Sequence, residues 1–248
     1  MSARALVGHV ALDAVDSTNA EGFRRAPGLT GPTWILAGLQ TAGRGRRARP
    51  WTSPRGNFHA TLVLQPAEPP ATVALRSFAA ALALRDALVA LTGLPDSLSL
   101  KWPNDVLLNG GKLAGILLEA SDLGGANPVL CIGIGVNLIA APDPAGLGPE
   151  AVAPASLLTE TGHRITPDAL LHALAPAYAA WEETFQTEGF PPLRDAWLAH
   201  AARKGEVIRA RTGTRTREGV FDSIDHHGNL ILRMAQGTVA IPAAEVFF

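Results

Sequence analysis

The character of the sequence changes at Gly205. Beyond it, strand-like runs at 206–212, 216–224, 229–234 and 238–241 alternate with turns such as His226-His227-Gly228-Asn229. Short strands with turn signals at this spacing predict a small all-β barrel of about 45 residues. Before it, strands and helices are mixed. The chain is therefore expected to divide into a larger unit, residues 1–202, and a small C-terminal one, residues 203–248. A chain of 248 residues can bury one sizeable core, or a main domain with a smaller companion.

In the larger unit, residues 9–15 alternate weakly, and Thr18 with Glu21 has capping-box spacing before a helix near 19–26. Strand-like runs follow at Thr33–Gln40 and Asn57–Gln65, the second with Phe58, Ala60, Leu62 and Leu64 in alternation. Residues 71–92 read as a long helix rich in alanine and leucine, closed by Gly93 and Pro95. A hairpin over 98–119 turns at Asn109-Gly110-Gly111, and a strand over 129–138 carries Gly133 and Gly135. The stretch 140–155, dense in proline, glycine and alanine, is expected to be a mobile loop. Thr166 and Pro167 pair an N-cap with a proline at the first helical position. The helix they start runs to about 187, with a kink expected at Pro176, and a shorter one covers 191–202.

Composition excludes several classes. A formal net charge of −1 supplies no global field for nucleic acid or an anionic membrane, so any anion site must be local. Cys131 is the one cysteine, set in an apolar run, and reads as a buried small hydrophobe. No run of about 18 uncharged apolar residues offers a membrane span, and the start lacks the apolar stretch of a signal peptide. The expectation is a cytoplasmic protein with no nucleic-acid or membrane partner.

Gly43-Arg44-Gly45-Arg46-Arg47-Ala48-Arg49-Pro50-Trp51 places four arginines within seven residues. Guanidinium forks bind phosphate and carboxylate oxygens bidentately, and the glycines let backbone approach a ligand. Taken alone, such a run is more often a solvated basic loop. Two flanking strands and a near-neutral chain favour a small-anion clamp, disordered by its own repulsion until an anion arrives.

Arginine outnumbers lysine 18 to 3, yet Lys101 and Lys112 both fall in one hairpin, beside Asp105. A two-residue turn at either Asn109-Gly110 or Gly110-Gly111 pairs Lys112 with an odd-numbered residue. Lys112 then shares a face with Asp105. An exposed lysine–carboxylate pair would carry little energy. A lysine between two apolar runs is better explained by a substrate charge.

Asp16-Ser17-Thr18-Asn19, Gln40, the Gly43–Trp51 loop, Lys101–Asp105, Lys112 with Gly115-Ile116-Leu117 and Glu119, and Gly133–Asn137 follow one another in an order that resembles the biotin–protein ligases. The resemblance is strong from about 16 to 140 and looser beyond. It implies an α+β fold: a mixed β-sheet flanked by helices, related to class II aminoacyl-tRNA synthetases, with an SH3-like C-terminal barrel. It also implies a two-step reaction. Biotin and MgATP give biotinyl-5′-AMP and pyrophosphate, and a lysine of an apo biotin carboxyl carrier protein then displaces AMP. ATP and Mg²⁺ are required, and no prosthetic group stays bound.

By the same resemblance, Lys112, Arg46 and Arg44 are the catalytic cations. Ser17, Thr18, Asn19 and Gln40 meet the biotin ring, with Arg44, Gly45, Arg46, Lys112 and Gly115 completing its site. The adenylate falls to Arg44, Arg46, Arg47, Arg49, Trp51, Lys101, Asn104, Lys112 and Asn137. Asp105, with Asn104, would position Mg²⁺. For Thr18 a helix cap, for Trp51 and Trp102 core packing, and for Gly115, Gly133 and Gly135 tight sheet packing are the alternatives. The acceptor's identity and a homodimer through an exposed sheet edge stay open.

Two departures stand out. Ala48 occupies a position where glycine is usual, and 140–155 holds no aromatic residue to stack on adenine. With 15 residues before Asp16, no helix-turn-helix and no repressor activity are expected. A lipoate or octanoate transferase and a nucleotide- or nucleic-acid-binding module are the competing readings. The first would not need this arginine loop, and the second leaves the lysine hairpin unexplained.

Overall fold

A computed structural model of the chain describes residues 7–124, 128–145, 151–213, 215–242 and 244–248. Seven strands form one sheet in the order β1-β2-β3-β7-β6-β5-β4. They are β1 (Gly8–Leu12), β2 (Thr33–Ala37), β3 (Phe58–Leu64), β4 (Leu98–Lys101), β5 (Asp105–Leu108), β6 (Gly111–Ser121) and β7 (Val129–Val136). β1 and β2 run parallel, joined by α1 (Thr18–Arg25), and the other pairs are antiparallel, so the sheet is mixed.

The period-2 pattern of β3 divides the molecule into layers. Phe58, Ala60 and Leu62 join the core built with α3 (Arg76–Thr92) and α5 (Pro167–Glu188). Val63 and Cys131 of the other face pack with Ile35 beneath α1. Cys131 is fully buried there, and burial pushes its thiol up to about 12. The helix expected over 71–92 is two pieces, α2 (Pro70–Ala74) and α3, meeting at Leu75. α3 stops at Gly93, whose φ of 69° is the left-handed cap that glycine tolerates best. α5 starts as expected: Thr166 accepts from the Ala169 N–H, and Pro167 takes the first position. α6 (Phe190–Ala199) follows, and a short α4 (Leu157–Thr161) precedes α5 without an evident sequence signal.

The stretch expected to be one hairpin is a three-stranded meander. Beyond the expected turn at Asn109 and Gly110, both at positive φ, the chain also reverses between Lys101 and Asp105. Pro103 has no N–H for a ladder, so the strand ends where it stands. The loop expected to be mobile is anchored at its end: the Lys112 N–H donates to the Ala153 carbonyl, and Ala155 N–H to that of Lys112. Residues 146–150 lie outside the described residues.

A second, antiparallel sheet has the order β11-β10-β9-β8-β12. Its strands are β8 (Val207–Thr212), β9 (Arg215–Ile224), β10 (Leu230–Met234), β11 (Gly237–Ile241) and an unforeseen β12 (Glu245–Phe247). It shares the main core: Trp197 of α6 lies between Phe78 and Phe221, with ring centroids 5.5 and 6.5 Å away. Trp102, a core residue and not a cover for the site, donates its indole N–H to the Gly228 carbonyl at 3.0 Å. Among the described residues, no helix is long and apolar enough to cross a membrane.

Candidate active site

The reversal at Pro103 places Lys101 directly opposite Asp105 in register. On the other side of β5, Leu107 pairs with Lys112, a bulge absorbing one residue before Ala114 meets Val106. The face predicted from turn length is therefore realised. Lys112 Nζ stands 2.7 Å from Asp105 Oδ1, and Lys101 Nζ stands 3.9 Å from Oδ2. Asp105 and Lys101 are buried, while the Lys112 side chain keeps a third of its exposure and faces the cavity.

Arg46 reaches the same corner, its Nη1–H donating to Asn104 Oδ1 at 3.5 Å. Burial pulls the Lys101 ammonium below its usual range. Asp105 opposes that shift, while Lys112 and Arg46 add to it. Arg46 is likewise lowered, first by burial and then by Arg47. Three cations thus surround one carboxylate, an excess of positive charge in a half-dry site that an anionic ligand would relieve.

The other part of the cavity is neutral and polar. Ser17 caps α1, and Thr18 and Asn19 follow it, all three buried. Gln40 Oε1 accepts from the Thr18 N–H at 2.8 Å and from its hydroxyl at 3.1 Å. The Gln40 amide donates to Ser53 Oγ at 2.9 Å. Thr61, on the α1 side of β3, bonds Thr18 Oγ1 and Asn19 Oδ1 at 2.8 and 2.6 Å. Asn19 Nδ2 donates to Glu119 Oε2 at 2.7 Å, and Arg44 closes on the same carboxylate with two bonds of 3.2 Å. Thr18 is thus both a first-turn residue of α1 and part of the lining.

The arginine loop is not left to its own repulsion. Arg44 bridges to Pro50, and the Gly45 N–H donates to the Arg49 carbonyl at 2.7 Å. Two carboxylates compensate it, Glu119 for Arg44 and Glu245 for Arg47 and Arg49. Arg47 and Ala48 lie at φ 57° and 56°, the left-handed region where a glycine at 48 would be unstrained.

Trp51 closes the loop, its indole laid across Gly115 and Gly135, where a Cβ at Gly135 would collide with Nε1. Those two glycines make room for tryptophan, and Gly133 makes room for Asn19. Trp51 Nε1 is buried without an acceptor, and Lys112 Nζ lies 5.7 Å from its ring.

A cavity of about 390 Å³ is lined by all of the sequence-predicted site residues, from Ser17 to Asn137. Asn137 also ties the sheet to the following chain, its amide donating to the Ala155 carbonyl at 3.1 Å. Thr61 and Ser53, which orient Thr18 and Gln40, could have been suspected as polar residues beside apolar strands. Glu119 belonged to the recognised motif but had no assigned role. Glu245 had no local signal, since only the return of β12 brings it to the cavity.

The family signature of the biotin/lipoate A/B protein ligases matches residues 11–137, and that of the biotin protein ligase C terminal domain matches 205–248. The biotin–[acetyl-CoA-carboxylase] ligase of Paracoccus denitrificans is 54% identical over 237 residues, spanning 96% of this chain and 99% of that one. The bifunctional ligase/repressor of Bacillus subtilis is 32% identical over 86% of this chain and 65% of its own length. A biotin protein ligase from Aquifex aeolicus, solved with biotin and ATP, superposes with a TM-score of 0.81 at 24% identity. That superposition covers 96% of this chain and 98% of the other, and supports the α+β fold. On these matches the chain belongs to the biotin/lipoate A/B protein ligase family and carries a biotin protein ligase C-terminal domain.

Proposed function

We propose that this chain is a biotin–protein ligase that forms biotinyl-5′-AMP from biotin and ATP, then transfers biotin to a lysine of a carboxylase's carrier domain. The observation that carries the reading is the unbalanced charge at the hairpin: Lys101, Lys112 and Arg46 gather around Asp105, with Glu245 acting on them from further off. In the first step a biotin carboxylate oxygen attacks the α-phosphorus of ATP and pyrophosphate leaves. Both reactants are anions, so fixed cations at the point of contact lower the barrier. Lys112, the more exposed lysine, bridges carboxylate and α-phosphate, while Arg44, Arg46 and Lys101 hold the remaining oxygens. In the second step the acceptor amine attacks the acyl carbon and AMP leaves. No covalent enzyme intermediate is needed.

Ser17, Thr18, Asn19 and Gln40, with Gly45 and Gly115, receive the neutral biotin ring, whose carbonyl and N–H groups need paired donors and acceptors. Arg47, Arg49, Trp51, Asn104 and Asn137 complete the nucleotide side. Asp105 does not suit a metal ligand. One ammonium group stands 2.7 Å from it and another 3.9 Å, and the neighbouring Asn104 oxygen accepts from Arg46. Mg²⁺ is thus taken to arrive on the nucleotide's own oxygens, and Asp105 to orient the lysines. Residues 1–202 form the catalytic unit and 203–248 the C-terminal unit, in line with the two separate sheets. We place the reaction in the cytoplasm, and a homodimer through the β1 edge is compatible with the fold.

The test is direct. Purified protein is incubated with ATP, Mg²⁺, biotin and an apo carrier domain, and the carrier is weighed by mass spectrometry. A biotin-sized gain that needs every component is expected. No gain and no pyrophosphate would end this reading and make lipoate the next ligand.

A further inference from the structure

Three arginines converge on a carboxylate that the chemistry above does not use. Glu245 of β12 pairs with Arg47 at 3.2 Å and Arg211 at 2.8 Å, and Arg49 closes on its other oxygen. Arg47 and Arg49 belong to the arginine loop. Arg211 stands on β8, directly opposite Glu245 in register, and anchors it to the second sheet. The Glu245 side chain is 16% exposed, against 47% and 65% for Arg47 and Arg49, so the carboxylate is seated and the arginines come to it. The hydrogen bond from Arg211, aided by Arg49 and Arg47, holds its carboxyl below the usual carboxylate range.

The loop needs an anion to keep this shape. Four like charges crowd it, and Arg47 and Ala48 both take a left-handed backbone that non-glycine residues disfavour. Carboxylate and phosphate oxygens fit the same guanidinium fork. Glu245 also lines the cavity shared by Arg46, Arg47, Arg49 and Lys112.

We propose that Glu245 is the internal counter-anion of the arginine loop, holding Arg47 and Arg49 whenever no phosphate does. It yields them to the triphosphate of ATP and takes them back when pyrophosphate departs. The loop therefore stays closed over biotinyl-AMP until the acceptor lysine arrives. Glu245 is a positioning residue, and its role in the reaction rests on the ligase reading above.

Trypsin tests this without any substrate, because it cuts after arginines. With biotin and ATP absent, cleavage after Arg44, Arg46 and Arg47 is followed by mass spectrometry in the unsubstituted chain, Glu245→Gln and Arg211→Gln. Glu245→Gln is expected to be cut in the loop about tenfold faster, the scale of losing charge-assisted bonds. Arg211→Gln should fall between, and added pyrophosphate should restore protection to Glu245→Gln. Turnover then supplies the second readout: free biotinyl-AMP leaves Glu245→Gln on the order of tenfold faster. Equal loop cleavage, or cleavage that rises equally outside the loop, overturns the proposal. A wild-type chain that releases no pyrophosphate from biotin and ATP would instead sink the ligase reading.

Discussion

Lys112 Nζ sits 2.7 Å from Asp105 Oδ1 across a β-bulge, and the same carboxylate faces Lys101 on its other side. A carboxylate so placed offsets the repulsion between the two ammonium groups. An arriving phosphate can then share both without the lysines having to be moved into place.

Lys112→Ala is expected to lower adenylate formation by about 3 kcal/mol of transition-state stabilisation, roughly a hundredfold. Asp105 keeps Lys101 as a partner, so thermal stability should change little. Pyrophosphate release kinetics check this, and a rate within twofold of the unsubstituted chain would remove Lys112 from the chemistry.

Lys101 has the opposite balance. Its ammonium is buried at 7% exposure. Burial, Lys112 and Arg46 disfavour its charge against the opposing pull of Asp105, which keeps Lys112 as a partner when Lys101 is removed. Lys101→Met should therefore raise Tm, by about 1 kcal/mol of stability, while adenylate formation falls. A lower Tm with activity retained would contradict a ligand-directed role.

Ala48 lies at φ 56°. Ala48→Gly removes the left-handed penalty but adds chain entropy to the unfolded state, so a net gain of about 0.5 kcal/mol is expected. Trypsin should also cut the unliganded loop more slowly. Faster cutting would show that the backbone at 48 does not limit loop closure.

His59 is buried, its Nε2 3.1 Å from the Pro54 carbonyl, and its Nδ1 has no partner. Burial lowers its pKa from 6.5. The folded state therefore resists a proton that the unfolded chain accepts. The sign follows: this contribution is complete above pH 6.5 and is lost as pH falls from there through the folded value. Tm measured across that range should fall with acidification, and His59→Gln should flatten the slope. Parallel slopes would exclude His59 as the cause.

Much of the architecture was legible because it rests on local rules. The alternation in β3, the Thr166–Pro167 start of α5 and the Asn109–Gly110 turn depend on neighbouring residues. The shared face of Lys112 and Asp105 needed only turn length and strand periodicity. The reversal at Pro103 was not foreseen within the hairpin expected over 98–119, since a proline ends a ladder without saying where the chain goes next. The loop over 140–155 looked mobile because composition cannot reveal that its last residues pair with Lys112.

What the sequence determined by itself, then, was the inventory of the site and the order of its parts: the polar helix start, the arginine loop, the lysine hairpin. What only the tertiary structure decided was which charges neutralise which. Glu119 meets Arg44 across 75 residues, and Glu245 meets Arg49 across 196. Periodicity places a side chain on a face, but the partner of a charge is set by whichever distant strand folds back against it. The arginine loop expected to stay disordered until an anion arrives is held by two carboxylates that no local pattern could assign to it.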